Sequence, residues 1–144
     1  LLISSARNHV EKYCNTRFAT QTVVAKCDCF GDMARLSEAP VQSVTSIEYV
    51  DTNGATQTLA TSVYEQRADG LESSITLKYG QSWPTTQTKS RITLTAVVGQ
   101  ATVEPAVKHA MLLFLAGGYD MRENDAAAAW TAFDALLSNH RRGI

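Results

Sequence analysis

One stretch of the sequence, VEPAVKHAMLLFLAGGYDMRE at residues 103–123, constrains the fold more than any other. Pro105 suits the first turn of a helix, because its missing N–H leaves no helical hydrogen bond unmade. The spacing predicts a helix at about 104–122 with two apolar stripes on nearly opposite sides. The stripes consist of Val103, Val107, Ala110, Met111, Phe114, Gly118 and Met121, and of Leu112, Leu115, Ala116 and Tyr119. A helix that is apolar nearly all round should be buried nearly all round.

Two explanations of this helix remain open. It is either an internal helix covered by its own chain, or a helix whose second stripe contacts other copies of the protein. Gly117 and Gly118 either permit a close backbone approach or end the helix at Gly117. For the second explanation, the candidate subunit-interface residues are Leu112, Leu115, Tyr119 and Arg122.

The remaining pattern predicts a single α+β domain over residues 1–144, a small helical bundle with an inserted antiparallel β-rich region. A helix at about 1–15 is amphipathic, with an apolar and a polar face. These faces contain Leu2, Ile3, Ala6, Val10, Tyr13 and Cys14, and Ser4, Asn8, Glu11 and Lys12. A last helix at about 125–138 begins at an Asn124–Asp125 N-cap and carries apolar residues at helical spacing, namely Trp130, Phe133, Leu136 and Leu137. A basic C-terminal arm follows at about 138–144.

The β insertion spans about residues 20–99 and alternates in side-chain character, as strands require. Asn53 and Gly54 lie between two β-prone runs and predict a tight hairpin turn. Three further runs place apolar residues on one strand face. They are Val23, Ala25, Cys27 and Cys29; Ile75, Leu77 and Tyr79; and Ile92, Leu94, Ala96 and Val98.

Composition excludes several classes of protein. The formal net charge of −1 gives no global attraction to nucleic acid or to an anionic membrane. Three cysteines, an odd number, do not make a disulfide framework and fit a reducing compartment. No signal peptide is recognisable, and no apolar run reaches the roughly 18 residues of a membrane span. The chain opens at Leu1 without a methionine, so we expect the natural start to precede it.

Residue types that carry catalysis or bind metals are scattered along the chain. Cys27 and Cys29 project to one strand face, but a zinc site needs four ligands and only Cys14 remains. Neither the serine-hydrolase nor the zinc-protease motif occurs, and no glycine-rich phosphate loop is present. The sequence therefore predicts no catalytic residue, no cofactor site and no metal site.

Several segments follow one another in a recognisable order. They are ARNHVEKYCNTRF (6–18), TQT (20–22), LSEAPVQSVTSIEYVDTNGATQTL (36–59), WP (83–84), ITLTAVVG (92–99), the stretch at 103–123, and ALLSNHRR (135–142). Together they resemble the head–tail connector proteins of tailed double-stranded DNA bacteriophages and prophages, the adaptors that lie below the portal. The resemblance covers essentially the whole chain.

The resemblance implies a non-catalytic virion protein of the neck, at the head–tail interface, assembled in the host cytoplasm. Copies would form a ring, dodecameric by analogy, through heterologous contacts beneath the portal protein. The ring would extend the channel for double-stranded DNA, without sequence-specific binding, and would support the next neck or tail protein. No membrane is implied as a partner.

By the same analogy, the C-terminal arm would be flexible in the free protein and would become ordered on the portal. The implied docking residues are Leu136, Leu137, His140, Arg141 and Arg142. The two arginines would pair with portal carboxylates. Two alternatives remain: another neck component, such as a stopper or tail-end protein, and a ligand- or glycan-binding module built around Tyr79 and Trp83.

Overall fold

A computed structural model of the chain describes residues 2–69, 71–120 and 132–143. Within these residues, the helices are α1 (Leu2–Cys14), α2 (Pro105–Asp120) and α3 (Ala132–Leu137). The six strands are β1 (Gln21–Cys27), β2 (Val41–Val50), β3 (Thr56–Thr58), β4 (Tyr64–Asp69), β5 (Glu72–Leu77) and β6 (Ile92–Val98). Short 3-10 helices span Phe30–Ala34 and Ser138–His140. The predicted α+β class is confirmed, with the strands inserted between α1 and α2. The Asn124–Asp125 N-cap and Trp130 lie outside the described residues.

The three helices pack around a small apolar cluster. Three buried residues of α1, Ala6, Val10 and Cys14, recur at every fourth position, which places them on one face of the helix. The cluster consists of Val10, Cys14, Phe18, Val107, Ala110 and Leu137. The ring of His9 stacks on Phe114 at 4.4 Å, while His140 lies beside both Thr16 and Glu104. The end of α1 therefore meets the start of α2, and these two helices run antiparallel.

Two details of α1 differ from the amphipathic pattern. Leu2 and Ile3, which the pattern placed on the apolar face, are 58% and 77% exposed. Glu11, expected on the polar face, is buried. Its carboxylate accepts hydrogen bonds from the backbone amides of Phe18 and Ala19, at 3.0 and 3.2 Å, in the connection that leads to β1.

Four strands form one antiparallel sheet in the order β1-β6-β2-β3. β6 lies inside this sheet, and the four residues predicted to share its apolar face, Ile92, Leu94, Ala96 and Val98, are all buried. A separate hairpin, β4–β5, adds Tyr64 and Ile75 to the same core. The 3-10 helix after β1 adds Phe30 and Met33. The larger of the two apolar clusters is therefore between the sheet and its connections.

The β2–β3 hairpin turns at the predicted site. Gly54 has a φ of 83°, a conformation that glycine adopts without steric cost. The carboxylate of Asp51 accepts hydrogen bonds from the backbone amides of Asn53 and Ala55, at 2.8 and 3.0 Å. These bonds hold the turn closed from inside.

Two residues predicted to face the core do not reach it. Cys29 is exposed because β1 ends at Cys27 and the chain then enters a 3-10 helix. Tyr79 is fully exposed because β5 ends at Leu77 and a turn follows. In both cases the alternation of side chains continues past the end of the strand in the sequence but not in the structure.

Candidate assembly surfaces

In the described residues, helix α2 buries much of one apolar stripe and leaves much of the other exposed. Val107 and Ala110 of the first stripe are fully buried. Leu112, in the second stripe, is 62% exposed, Leu115 is half-buried and Ala116 is exposed. The described part of the chain therefore leaves Leu112 largely open, which favours the subunit-contact explanation. We define the outer face of α2 as the solvent-facing row formed by Lys108, Leu112, Leu115 and Ala116, which are three or four residues apart.

The structure of α2 bears on the two explanations offered for Gly117, a close backbone approach or the end of the helix. The helix continues through Gly117 to Asp120, so Gly117 does not end it. Among the described residues, nothing lies within 4 Å of the position that a Cβ of Gly117 would occupy, so no close approach by them requires the glycine. Of the predicted interface residues, the side chain of Tyr119 and the whole of Arg122 lie outside the described residues, as does Met121 of the first stripe.

The predicted docking residues at the end of the chain are mostly folded onto the protein itself. Leu137 is fully buried in the helical cluster, and Leu136 is half-buried against it. Leu137 therefore anchors α3 and is not open to a partner, whereas Leu136 keeps part of its surface exposed. The backbone amide of Arg142 donates a 2.7 Å hydrogen bond to the carbonyl of Cys14, so the arm is held at the end of α1.

Arg142 is the most buried charged group of the arm, with a side chain only 3% exposed. Its guanidinium donates to the carbonyl oxygens of Leu36 and Ser37, at 2.5 and 3.0 Å. It also donates to the carboxylate of Glu72 at 3.0 Å. The sequence SNHRRGI indicated a solvated, flexible arm, whereas these bonds fix the arm between the helices and the β4–β5 hairpin.

Glu72 binds two arginines at once. Arg35 forms a two-pronged pair with its carboxylate, at 3.2 and 3.1 Å, and donates a further hydrogen bond to the carbonyl of Gly143 at 2.7 Å. The hydrogen bonds from Arg35, the larger cause, and from Arg142 lower the pKa of Glu72 to about 2. We refer to Arg35, Glu72 and Arg142 as the arginine clasp. It is an internal joint, and its charges are already paired.

Arg141 is the one predicted docking residue whose charge faces solvent in the described arm. Its guanidinium carbon lies 5.1 Å from the centroid of the Tyr13 ring, a cation–π arrangement. The hydroxyl of Tyr13 in turn donates to Asp134 of α3 at 2.5 Å. The side chain of His140 is only 12% exposed and lies 3.4 Å from Glu104. The basic character available to a partner is therefore that of Arg141.

Neither an enzyme-like site nor a metal site emerges from the described residues. Burial raises the pKa of the Cys14 thiol to about 11, which makes it a poor nucleophile. Within residues 2–69, 71–120 and 132–143, no group of three or more histidine, cysteine or acidic side chains could hold a metal ion. None of the helices in these segments combines the length and the apolar character needed to cross a membrane.

The rings of Tyr79 and Trp83 do not act together. Trp83 stacks face to face on Phe30, with centroids 4.8 Å apart, and packs against the larger core cluster. Tyr79 is fully exposed in the turn after β5. Because one ring is used for packing and the other stands alone in solvent, the pair offers no joint stacking platform for a sugar or a base.

Comparison with known proteins gives matches only at the level of structure. No protein-family model matches the chain, and no curated protein matches it either. A chain in the neck of an empty gene transfer agent particle computed with C6 symmetry has a TM-score of 0.80 and 18% identity, covering 99% of this chain and 76% of that chain. A chain in the neck of the native particle computed with C12 symmetry has a TM-score of 0.81 and 20% identity, covering 99% and 81%.

A third match comes from the virion of the native gene transfer agent particle. It has a TM-score of 0.83 and 22% identity, and it covers 99% of this chain and 76% of that chain. At these identities the matches show a shared fold over nearly the whole chain. The fold that the resemblance to head–tail connector proteins implied is thereby confirmed.

Proposed function

We propose that this chain, which shares its fold with chains from the neck of gene transfer agent particles, is a ring-forming head–tail connector of a phage-like particle. The observation that carries the proposal is the outer face of α2. This largely apolar surface stays open in the described part of the chain, with Leu112 62% exposed. Exposed apolar patches of this kind mark contact sites, and a ring of identical copies would bury one on every subunit.

The proposed protein acts by assembly and not by catalysis. Twelve copies would form a ring, by analogy with the C12 symmetry of one matching neck. The ring would lie under the portal protein in the virion neck, after assembly in the host cytoplasm, and would support the next neck or tail protein. Double-stranded DNA would pass through its channel without sequence-specific binding, which the formal net charge of −1 does not oppose.

The C-terminal residues that we propose to contact the portal differ in part from those that the sequence indicated. Leu137 and Arg142 are buried within the chain, so in this conformation they are not available to a partner. Arg141 is exposed, and a surface guanidinium is well suited to pair with a carboxylate of a portal protein. We therefore assign the docking contact to Arg141, with the arginine clasp holding the arm in position.

The self-association step can be tested with Leu112→Asp. A carboxylate on the outer face of α2 would be desolvated in any contact between copies, so we expect loss of annular species and at least a tenfold weaker association. The control is Ile3→Asp, which places the same charge at an exposed apolar position of another helix. Sedimentation velocity and negative-stain images give the oligomeric state, and thermal unfolding of the monomer shows whether the fold persists.

The outcome separates two explanations. If Leu112→Asp unfolds the isolated chain as much as it prevents assembly, the side chain serves the monomer and the proposed interface is wrong. If both variants assemble normally, the outer face of α2 is not the contact between copies.

The docking step has its own experiment. Arg141→Glu should weaken capture by purified portal rings at least tenfold, while loss of the cation–π contact with Tyr13 lowers the stability by only about 0.5–1 kcal/mol. Lys78→Glu, an exposed charge reversal just after β5 and outside the four-stranded sheet, is the control for a change of net charge. Capture by a tail-side component but not by the portal would instead identify the chain as another neck component, such as a stopper.

A further inference from the structure

The four-stranded sheet has two free edges, and they are unlike. β1 is a seven-residue strand that pairs only with β6, and β3 is a three-residue strand that pairs only with β2. Within the described residues, no backbone hydrogen bond from another segment reaches the free side of either strand. An exposed edge presents a row of unpaired N–H and C=O groups that can pair with another chain.

The surface beside the β1 edge is almost uncharged. The strand register places Thr22, Val24 and Lys26 on the same face as Thr95 of β6. Val24 is 61% exposed, although it is a large apolar residue in a strand. Proteins usually guard such an edge with several charges, a proline or a covering segment, and here Lys26 is the only charged residue on this face of β1.

We infer that β1 of one copy pairs with β3 of the next copy, so that the sheets join into one continuous belt around the ring. This inference rests on the proposed ring assembly and names its second contact, beside the outer face of α2. A ring of identical chains needs two different surfaces on opposite sides of each subunit. The sheet offers such a pair, because its two edges differ and lie at opposite ends of the strand order.

Strand direction agrees with this pairing. β1 is antiparallel to β6, β6 to β2, and β2 to β3, so β1 and β3 of one copy run in opposite directions. A rotation about a ring axis that lies along the strands preserves the direction of each strand. β1 of the next copy would therefore lie antiparallel to β3, in the arrangement whose hydrogen bonds are perpendicular to the strands.

The side-chain faces also agree. The register links Lys26 to Thr93, Thr93 to Glu48, and Glu48 to Thr58, so these four residues lie on one face of the sheet. Val24 shares that face, because it lies two residues from Lys26. Residues on the outward face of β1 can therefore meet residues on the outward face of β3 without either strand turning over.

The dimensions of such a belt are reasonable for a DNA conduit. Twelve copies with four strands each, spaced by about 4.8 Å, give a circumference of about 230 Å and a radius of about 37 Å. Any tilt of the strands makes the radius larger. The space inside would hold a duplex as well as other parts of each chain. Because β3 has only three residues, the edge pairing makes few hydrogen bonds, and it sets the register while the outer face of α2 supplies apolar contact.

Cross-linking tests the inference directly. The variant Val24→Cys/Thr58→Cys would be made in a background with Cys27→Ala and Cys29→Ser, which leaves the buried Cys14 in place. After ring assembly on portal, a short bismaleimide should join neighbouring copies into a ladder that extends to high multimers on a denaturing gel. The matched control, Val24→Cys/Tyr79→Cys, places the second thiol at a fully exposed position away from the four-stranded sheet and should give no ladder.

Each outcome has a distinct meaning. Annular particles that give no ladder, or no more than the control, overturn the edge pairing and leave the proposed connector function intact. Efficient cross-linking of Val24→Cys alone means that two β1 edges meet, which also overturns it. If no annular species forms with or without portal, the proposed function fails and the edge pairing fails with it.

Discussion

Glu11 is a buried charged residue whose carboxylate accepts hydrogen bonds from backbone amides. One carboxylate oxygen accepts the amides of Phe18 and Ala19, and the other lies 3.6 Å from Arg17. Removing this acceptor would leave two amides without a partner, each at a cost of about 1–3 kcal/mol if buried. Because the amide of Ala19 is only partly buried, we expect Glu11→Ala to lower the free energy of unfolding by about 2 kcal/mol.

The matched variant is Glu11→Gln, which keeps an oxygen acceptor in nearly the same position. Urea unfolding should place it between the wild type and Glu11→Ala. Equal stability of the alanine and glutamine variants would mean that the amide bonds contribute nothing and that only the charge beside Arg17 matters.

The three thiols should differ in reactivity because their surroundings differ. Burial raises the pKa of Cys14 to about 11, and burial also raises the pKa of Cys27. Cys29 is exposed. Since the thiolate is the reactive form, limited alkylation near neutral pH should modify Cys29 first and Cys14 only after unfolding. Peptide mass spectrometry of the alkylated protein gives the order, and early modification of Cys14 in the folded chain would contradict it.

Replacement by alanine should change the stability in opposite directions at Gly54 and at Gly117. Gly54 has a φ of 83° in the β2–β3 turn, so Gly54→Ala should destabilise the protein by about 1 kcal/mol. Gly117 lies in the interior of α2 with open space around its Cα, so Gly117→Ala should stabilise the helix by up to about 1 kcal/mol. Chemical denaturation of both variants measures the difference. A destabilising Gly117→Ala in the monomer would show that the helix bends or ends near this residue.

Elements are predictable from the sequence where a local pattern and the tertiary contacts agree. β6 and the turn at Gly54 follow from alternation and turn chemistry alone. Tyr79 was misplaced because alternation gives the face of a side chain but not the residue at which a strand ends. Helical spacing places Leu2 on the apolar face of α1, but that face is not buried along its whole length, so spacing alone does not predict burial.

At the scale of the molecule, only part of the candidate assembly surfaces can be predicted from the sequence. The two stripes of α2 are visible in the sequence, and Leu112 lies where a contact between copies would need it. The role of Arg142 was not visible, because its partners Leu36, Ser37 and Glu72 are 70 or more residues away in the chain. A short basic tail has the same composition whether it is solvated or clasped. The difference is made by tertiary contacts that leave no local pattern.

The arginine clasp joins the end of the helical part of the chain to the β4–β5 hairpin, so its protonation should affect the stability of the whole molecule. The pKa of Glu72 is about 2 in the folded protein, and the ordinary value is 4.5. A carboxylate whose pKa is lower in the folded state stabilises the protein above the unfolded value, and it loses that contribution as the pH falls toward the folded value. The clasp should therefore weaken progressively between about pH 4.5 and about pH 2.

Glu72→Gln removes this titration and should flatten the pH dependence of stability in that window. Because the Glu72 side chain is 39% exposed, solvent screening reduces the expected effect to about 1 kcal/mol. Urea unfolding at about pH 6 and about pH 3 measures it, with Glu65→Gln as the control for an exposed carboxylate paired with Arg67. Wild type and Glu72→Gln with the same loss between these two pH values would mean that the clasp does not stabilise the fold. The arm would then be free to leave the body of the protein at little cost, and Arg142 would return as a docking residue beside Arg141.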